Sequence, residues 1–148
     1  RDRVDNFGYV SRMDNLQAAI LNYRLKKLDE IIDRRRQNAQ SYLEYIETGE
    51  VFIPLEKEYE FNTYHTFVIQ LKKRNELKEF LLKQGIEAAI HYPTPIHLQP
   101  AAKRLGYKFG DFPITEKQAG MILTLPVNQS LGQSEIERIC VAVNEYYS

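Results

Sequence analysis

The chain has 148 residues, enough for one domain with a real core, and its 20 basic residues balance 20 acidic ones. A neutral chain lacks the concentrated positive charge of a nucleic-acid module, and no apolar run approaches the roughly 20 residues of a membrane span, so neither partner is expected. The single cysteine, Cys140, excludes a disulfide framework and a cysteine zinc cage, so we predict a reducing, cytoplasmic setting.

The first third of the chain predicts one long helix, either straight or bent. Ser11-Arg12-Met13-Asp14 has the Ser-x-x-acid pattern of a capping box, and apolar residues then recur at helical spacing. We predict a helix over residues 13–47, ended by Gly49 and on the order of 50 Å long. Part of it should pack on something outside this chain, which opens on Arg1 and is predicted to be a piece of a longer polypeptide.

The remainder alternates strands and helices. We predict a small sheet of short strands with helices packed on it. Asn75 should cap the first short helix, and the last helix should bury one face, formed by Ile136, Ile139, Cys140 and Val143. The fold class is therefore α/β, a two-layer α+β domain with a long N-terminal helix and a small sheet covered by helices. The predicted strands are 64–71, 86–90 and 122–125, and the predicted helices are 75–84, 100–105, 115–121 and 134–147, with a loop over 106–113.

Residues 91–100, which we call the proline-rich loop, hold two of the three histidines and three of the six prolines. Proline fixes φ and removes a backbone donor, so this segment is neither a helix nor a central strand. It should present His91, Tyr92 and His97 in fixed directions, and loops on a rigid scaffold often carry binding residues.

The histidines have competing interpretations. A zinc site built on His91 and His97 is disfavoured because no cysteine or acidic residue lies between or beside them. Both histidines and Tyr92 would otherwise pack the loop onto its domain. His65 lies in a predicted strand, and we expect a core histidine bonded to the backbone.

Arg12 has two interpretations of equal weight, a surface pair with Asp14 or Asp5 and an anion site at the helix start. The basic run of residues 34–36 is interleaved with acidic residues, which favours a solvated helix face.

Five segments taken together resemble the DegT/DnrJ/StrS family of PLP-dependent aminotransferases that act on nucleotide-linked keto sugars. The first, Gly-Tyr-Val-Ser-Arg-Met-Asp-Asn-Leu-Gln-Ala-Ala from Gly8, is similar to the family's Gly-Tyr-Asn-x-Arg segment. The match covers essentially the whole chain in the right order. The other segments are residues 64–69, 91–101, 106–113 and 123–127.

The resemblance implies the small C-terminal domain of a fold type I enzyme, the aspartate aminotransferase type. It places the large domain, and with it the lysine that holds pyridoxal 5'-phosphate (PLP), outside residues 1–148. The isolated chain should then be inactive, since that amine holds the cofactor and moves its protons.

The same resemblance implies site residues, with none of them catalytic. Arg12 would bind the cofactor phosphate or the nucleotide diphosphate, and Ser11 would stand in for the family's phosphate-binding asparagine, which is Val10 here. His91, Tyr92 and His97 would face the substrate. The implied enzyme is a homodimer that moves an amino group from an amino acid, glutamate by preference, to a nucleotide-linked keto sugar for cell-surface polysaccharide. A sugar dehydratase of the same family and a non-catalytic dimerisation or docking module remain alternatives.

Overall fold

Two antiparallel strands lie at the centre of the computed structural model, which describes residues 3–6, 8 and 12–148. In register, Phe67 faces Leu125 and Ile69 faces Leu123. The two-layer α/β prediction is confirmed. The helices are α1 (Asn15–Leu25), α2 (Leu28–Tyr45), α3 (Arg74–Lys83), α4 (Pro113–Met121) and α5 (Gln133–Tyr147); the strands are β1 (Phe67–Gln70) and β2 (Ile122–Leu125); 3-10 helices span Ile96–Leu98 and Pro100–Leu105.

Single bridges extend this sheet on both sides. Phe52 exchanges backbone hydrogen bonds of 2.8 and 2.9 Å with Gln70, and Ala89 exchanges bonds of 3.0 and 2.7 Å with Thr124. Four chain segments therefore lie side by side. The bridge at Ala89 brings the start of the proline-rich loop against β2.

The core lies between the sheet and three helices, with α5 packed against both α2 and α3. The face predicted for α5 is confirmed, since all four of its predicted residues are buried. Apolar side chains at helical spacing explain this, because only one side of such a helix can meet the core. Among the described residues, no helix is both long and apolar enough to cross a membrane.

The prediction of a single long N-terminal helix was wrong, because the helix is interrupted between α1 and α2. Lys27 has a non-helical ψ of 11°, and its N–H bonds to Arg24 only three residues back. Neither proline nor glycine lies there, so the sequence carries no local signal for the break. The predicted cap also shifts: Asp14 is the N-cap, its N–H donating to Gln17 Oε1 over 3.2 Å, and Ser11 lies outside the described residues.

The second half of that helix ends at Tyr45, before the predicted stop at Gly49. The reason is a side chain from α5. Asn144 Nδ2 donates to the Tyr45 carbonyl over 2.8 Å, and its Oδ1 accepts from the Glu47 N–H over 3.1 Å. This amide satisfies the groups that a continuing helix would otherwise bond, as a cap does.

Two predicted strands were too long. In place of 64–71, β1 covers Phe67–Gln70, because Tyr64 has φ 46° and cannot continue an extended strand. The predicted strand 86–90 is reduced to the bridge at Ala89. Asn75 does not cap α3, which begins one residue earlier at Arg74.

Helix α1 buries none of its residues. Leu16 is 73% exposed, and Tyr23 and Leu25 are each 65% exposed. A helix normally covers its apolar side chains against a core, so this face is suited to packing on another surface.

Candidate functional site

A groove of about 570 Å³ lies where β2 ends and the proline-rich loop begins. We call it the Thr124 groove. It is formed by segments that are distant in sequence, and polar groups line it alongside the apolar ones. Its lining includes Arg35, His65, Glu87, His91, Tyr92 and Thr124.

His91 is held at this groove by a buried hydroxyl. A hydrogen bond of 3.0 Å joins His91 Nδ1 and Thr124 Oγ1, and Thr124 is itself fixed in β2 by its bonds to Ala89. The ring of Tyr92 meets the His91 ring edge to face, with centroids 5.3 Å apart. Two predicted site residues thus lie together, and both remain exposed enough to meet a ligand.

Replacing Thr124 tests this arrangement. Thr124→Val keeps the side-chain shape but removes the hydroxyl, so the His91 ring should lose the hydrogen bond that orients it. One neutral hydrogen bond corresponds to a change of roughly 2- to 10-fold in the population of the bonded ring orientation, which NMR of the imidazole reports. Thr115→Val, at an exposed position, is the control. An unchanged His91 spectrum would contradict the role given to Thr124.

His65 and Arg35 complete the polar side of the groove. The expectation of a core histidine was wrong, since His65 is exposed, and the groove gains an imidazole. Arg35 Nη1 donates to the carbonyls of Tyr64 and His65, each over 3.0 Å. These bonds tie α2 to the segment just before β1 at the groove.

The basic run of residues 34–36 is not the solvated face that was predicted. All three arginines are half-buried, and each ties α2 to another segment. Arg34 donates to the Leu131 carbonyl over 3.1 Å. Arg36 forms a two-pronged ion pair with Glu56, over 2.8 and 2.9 Å, which lowers the pKa of that carboxyl. Nothing in the mixed charges of this run indicated these distant partners.

His97 points away from solvent. Its Nε2 lies 2.9 Å from Glu116 Oε1, and the two side chains are only 8% and 6% exposed. The His97 ring also packs on Phe112, with centroids 4.7 Å apart. A substrate contact for His97 stays a prediction, while the loop-packing interpretation describes the contacts that its ring makes here.

Glu116 was missed by the sequence reasoning. Burial alone would raise the pKa of its carboxyl, but hydrogen bonds from Gly110, His97 and Phe112 hold that pKa below its usual value. The available signal was an acidic residue in the first turn of α4, which suits the positive end of a helix.

Arg12 lies just before α1 with its side chain 86% exposed. Its guanidinium reaches Asp14 Oδ1 over 3.2 Å, which is the surface pair of one interpretation. Exposed pairs of this kind are weak, so an anion can compete for the arginine. Ser11, the other residue predicted for cofactor binding, and Val10 lie outside the described residues.

A second hollow, of about 520 Å³ and mostly apolar, adjoins the same loop. Tyr92 lines both this hollow and the Thr124 groove, and Val4 lines only the hollow. The Val4 N–H donates to Gln99 Oε1 over 2.9 Å, so the N-terminal segment is bonded to the loop. Within the described part of the chain, no group of three acidic, histidine or cysteine residues is placed to hold a metal ion.

Comparison with known proteins places this arrangement in a family. The profile of the DegT/DnrJ/EryC1/StrS aminotransferase family matches residues 1–144. The chain is 37% identical over 143 residues to the "Pleiotropic regulatory protein" of Geobacillus stearothermophilus, covering 95% of this chain and 38% of that protein. It is also 37% identical over 139 residues to dTDP-3-amino-3,6-dideoxy-alpha-D-galactopyranose transaminase of Aneurinibacillus thermoaerophilus, covering 94% of this chain and 38% of the relative.

The fold agrees with the sequence match. The crystal structure of S. venezuelae DesV superposes with a TM-score of 0.87 at 32% identity, over 91% of this chain and 37% of that one. The chain thus spans little more than a third of the length of these relatives. The profile match, the identities and the shared fold agree, and the chain belongs to the DegT/DnrJ/EryC1/StrS aminotransferase family.

Proposed function

We propose that residues 1–148 are the C-terminal domain of a PLP-dependent aminotransferase. The full enzyme would transfer an amino group from an amino acid, glutamate by preference, to a keto sugar linked to a nucleotide. The observation that carries this proposal is the match over nearly the whole chain to a dTDP-sugar transaminase. The product would serve cell-surface polysaccharide or related sugar synthesis in the cytoplasm.

The remaining part of the enzyme would lie upstream. The chain covers 38% of its relatives, which leaves room for a large domain with the cofactor-binding lysine. The exposed apolar face of α1 supports this division, since such a face is suited to packing on another domain or subunit. A homodimer in which each C-terminal domain borders its neighbour's pocket fits the same face.

The Thr124 groove would form one wall of the substrate pocket. His91 and Tyr92 offer an imidazole and a phenol, and both groups can hydrogen-bond to sugar hydroxyls or to a diphosphate. His91 is oriented by Thr124, so less freedom is lost when it binds. His97 would support the loop from behind.

The chain's own residues also fit the phosphate of the cofactor. Arg12 carries an exposed guanidinium whose only hydrogen-bonded partner in the described residues is the neighbouring Asp14, and a guanidinium suits a phosphate well. We propose Arg12 and Ser11 for cofactor binding, with Arg12 also available to the nucleotide diphosphate. When bound, PLP supplies the electron sink of transamination.

The full-length protein provides the test. It should show the visible absorbance of bound PLP, lose that band on addition of glutamate, and give a nucleotide sugar with an amino group in place of the keto oxygen. Residues 1–148 alone should bind no PLP, because the lysine would be elsewhere. A full-length protein without PLP would overturn the proposal, and loss of water from the sugar in place of amination would show a dehydratase.

A further inference from the structure

The proline-rich loop is held at both ends by side chains from the segment that follows it. At its start, Thr124 of β2 contacts His91. Near its end, Glu116 of α4 contacts His97, 19 residues away in sequence. Of the residues proposed to face substrate, His91 is itself the first attachment and Tyr92 lies between the two, so the placement of both depends on these contacts.

Glu116 joins two loops through one carboxylate. Its Oε1 accepts from His97 Nε2 over 2.9 Å, and the Gly110 N–H lies 2.9 Å from both carboxylate oxygens. The Phe112 N–H donates to Oε1 over 3.3 Å. A carboxylate in the first turn of a helix commonly accepts hydrogen bonds from nearby backbone N–H groups, as Glu116 does from Gly110 and Phe112. The bond to His97 is different, because it reaches into the proline-rich loop.

The contact is also shielded from water. The side chains of His97 and Glu116 are both more than nine-tenths buried. The Phe112 ring packs on the His97 ring and also on the Tyr107 ring, with the Phe112 and Tyr107 centroids 5.1 Å apart. A buried, charge-assisted hydrogen bond is stronger than an exposed one and leaves an unpaired polar group when one partner is removed. The loop therefore has one defined position relative to α4.

We propose that Glu116 is a positioning residue for substrate recognition: through His97 it fixes the proline-rich loop, and thereby the placement of His91 and Tyr92 against the nucleotide-linked sugar. This rests on the proposed function. Glu116 itself does not touch the substrate, so its loss should weaken sugar binding and leave the reaction with the amino donor intact.

Glu116→Gln in the full-length enzyme tests the proposal. Glutamine keeps the size but has one acceptor oxygen where His97, Gly110 and Phe112 now share two. We expect the KM for the nucleotide-linked keto sugar to rise about 5- to 10-fold, and kcat and the glutamate half-reaction to stay within about twofold. Glu135→Gln is the matched control, since Glu135 accepts from the Gly132 N–H over 2.7 Å at the start of α5 and contacts no residue of the loop by hydrogen bonding.

A double variant and hydrogen exchange separate positioning from general destabilisation. His97→Asn should raise the same KM, and the double variant should be no worse than the more damaged single variant, whereas independent effects would multiply. Amide exchange over residues 96–102 should speed up in Glu116→Gln while α5 is unchanged.

Three results would overturn the inference: an unchanged KM for the sugar, equal losses in both half-reactions, or faster exchange throughout the domain. Assaying the wild-type enzyme for amination of the keto sugar distinguishes a failure of this inference from a failure of the proposed function. If the wild type aminates no nucleotide-linked keto sugar, the proposed function fails first, and the inference falls with it.

Discussion

Arg12→Ala in the full-length enzyme should raise the apparent KM for the nucleotide-linked keto sugar, or the Kd for PLP, by roughly 10- to 100-fold. Loss of a charge-assisted hydrogen bond to a phosphate costs about 1.5–3 kcal/mol, which corresponds to that range. The arginine is available for this role, because its pair with Asp14 is exposed and weak.

Steady-state kinetics with the sugar and a PLP titration decide which anion Arg12 meets. Arg24→Ala is the matched control, since Arg24 is an exposed arginine in the last turn of α1, the helix that follows Arg12. If both variants leave KM and Kd unchanged, Arg12 is only the surface partner of Asp14.

Tyr42→Ala should lower the unfolding free energy of the 148-residue chain by about 3–5 kcal/mol, as expected for a large buried aromatic side chain. Tyr42 is 0% exposed, and its ring lies 4.7 Å from that of Phe67 in β1. Its hydroxyl donates to the Pro126 carbonyl over 2.6 Å, directly after β2. The residue therefore links α2 to both strands.

Tyr42→Phe separates the ring from the hydroxyl. It keeps the packing and leaves the Pro126 carbonyl without this donor, so the expected loss is roughly 1–2 kcal/mol. Urea denaturation followed by circular dichroism measures both variants. Tyr59→Ala, at a side chain that is 79% exposed, should stay within about 0.5 kcal/mol and serves as the control. Equal stability of wild type and Tyr42→Ala would show that α2 does not anchor the sheet.

Sequence patterns correctly predicted the secondary-structure elements that are determined by residues close to one another in the chain. Strand β2 has the predicted bounds, and α5 has the predicted buried face because helical spacing is readable in a short window. Prolines marked the loop at residues 91–100, and the 3-10 helix Pro100–Leu105 follows as predicted.

Errors arose where a distant side chain decides the backbone. Asn144 ends α2 through bonds to residues 97 and 99 positions away, and Arg35 holds the carbonyls of Tyr64 and His65 just before β1. Neither event has a signal in the residues that it changes. His65 was misplaced in the core for the same reason.

The sequence alone determined the family, the layer architecture and the loop where a site should lie, because these depend on motifs, periodicity and proline. Only the tertiary structure decided which groups meet there. It brought Thr124 to His91 across 33 residues and Glu116 to His97 across 19, and it left Arg12 exposed and α1 uncovered. Side-chain contacts between distant segments depend on how the layers pack, and no local pattern encodes that packing.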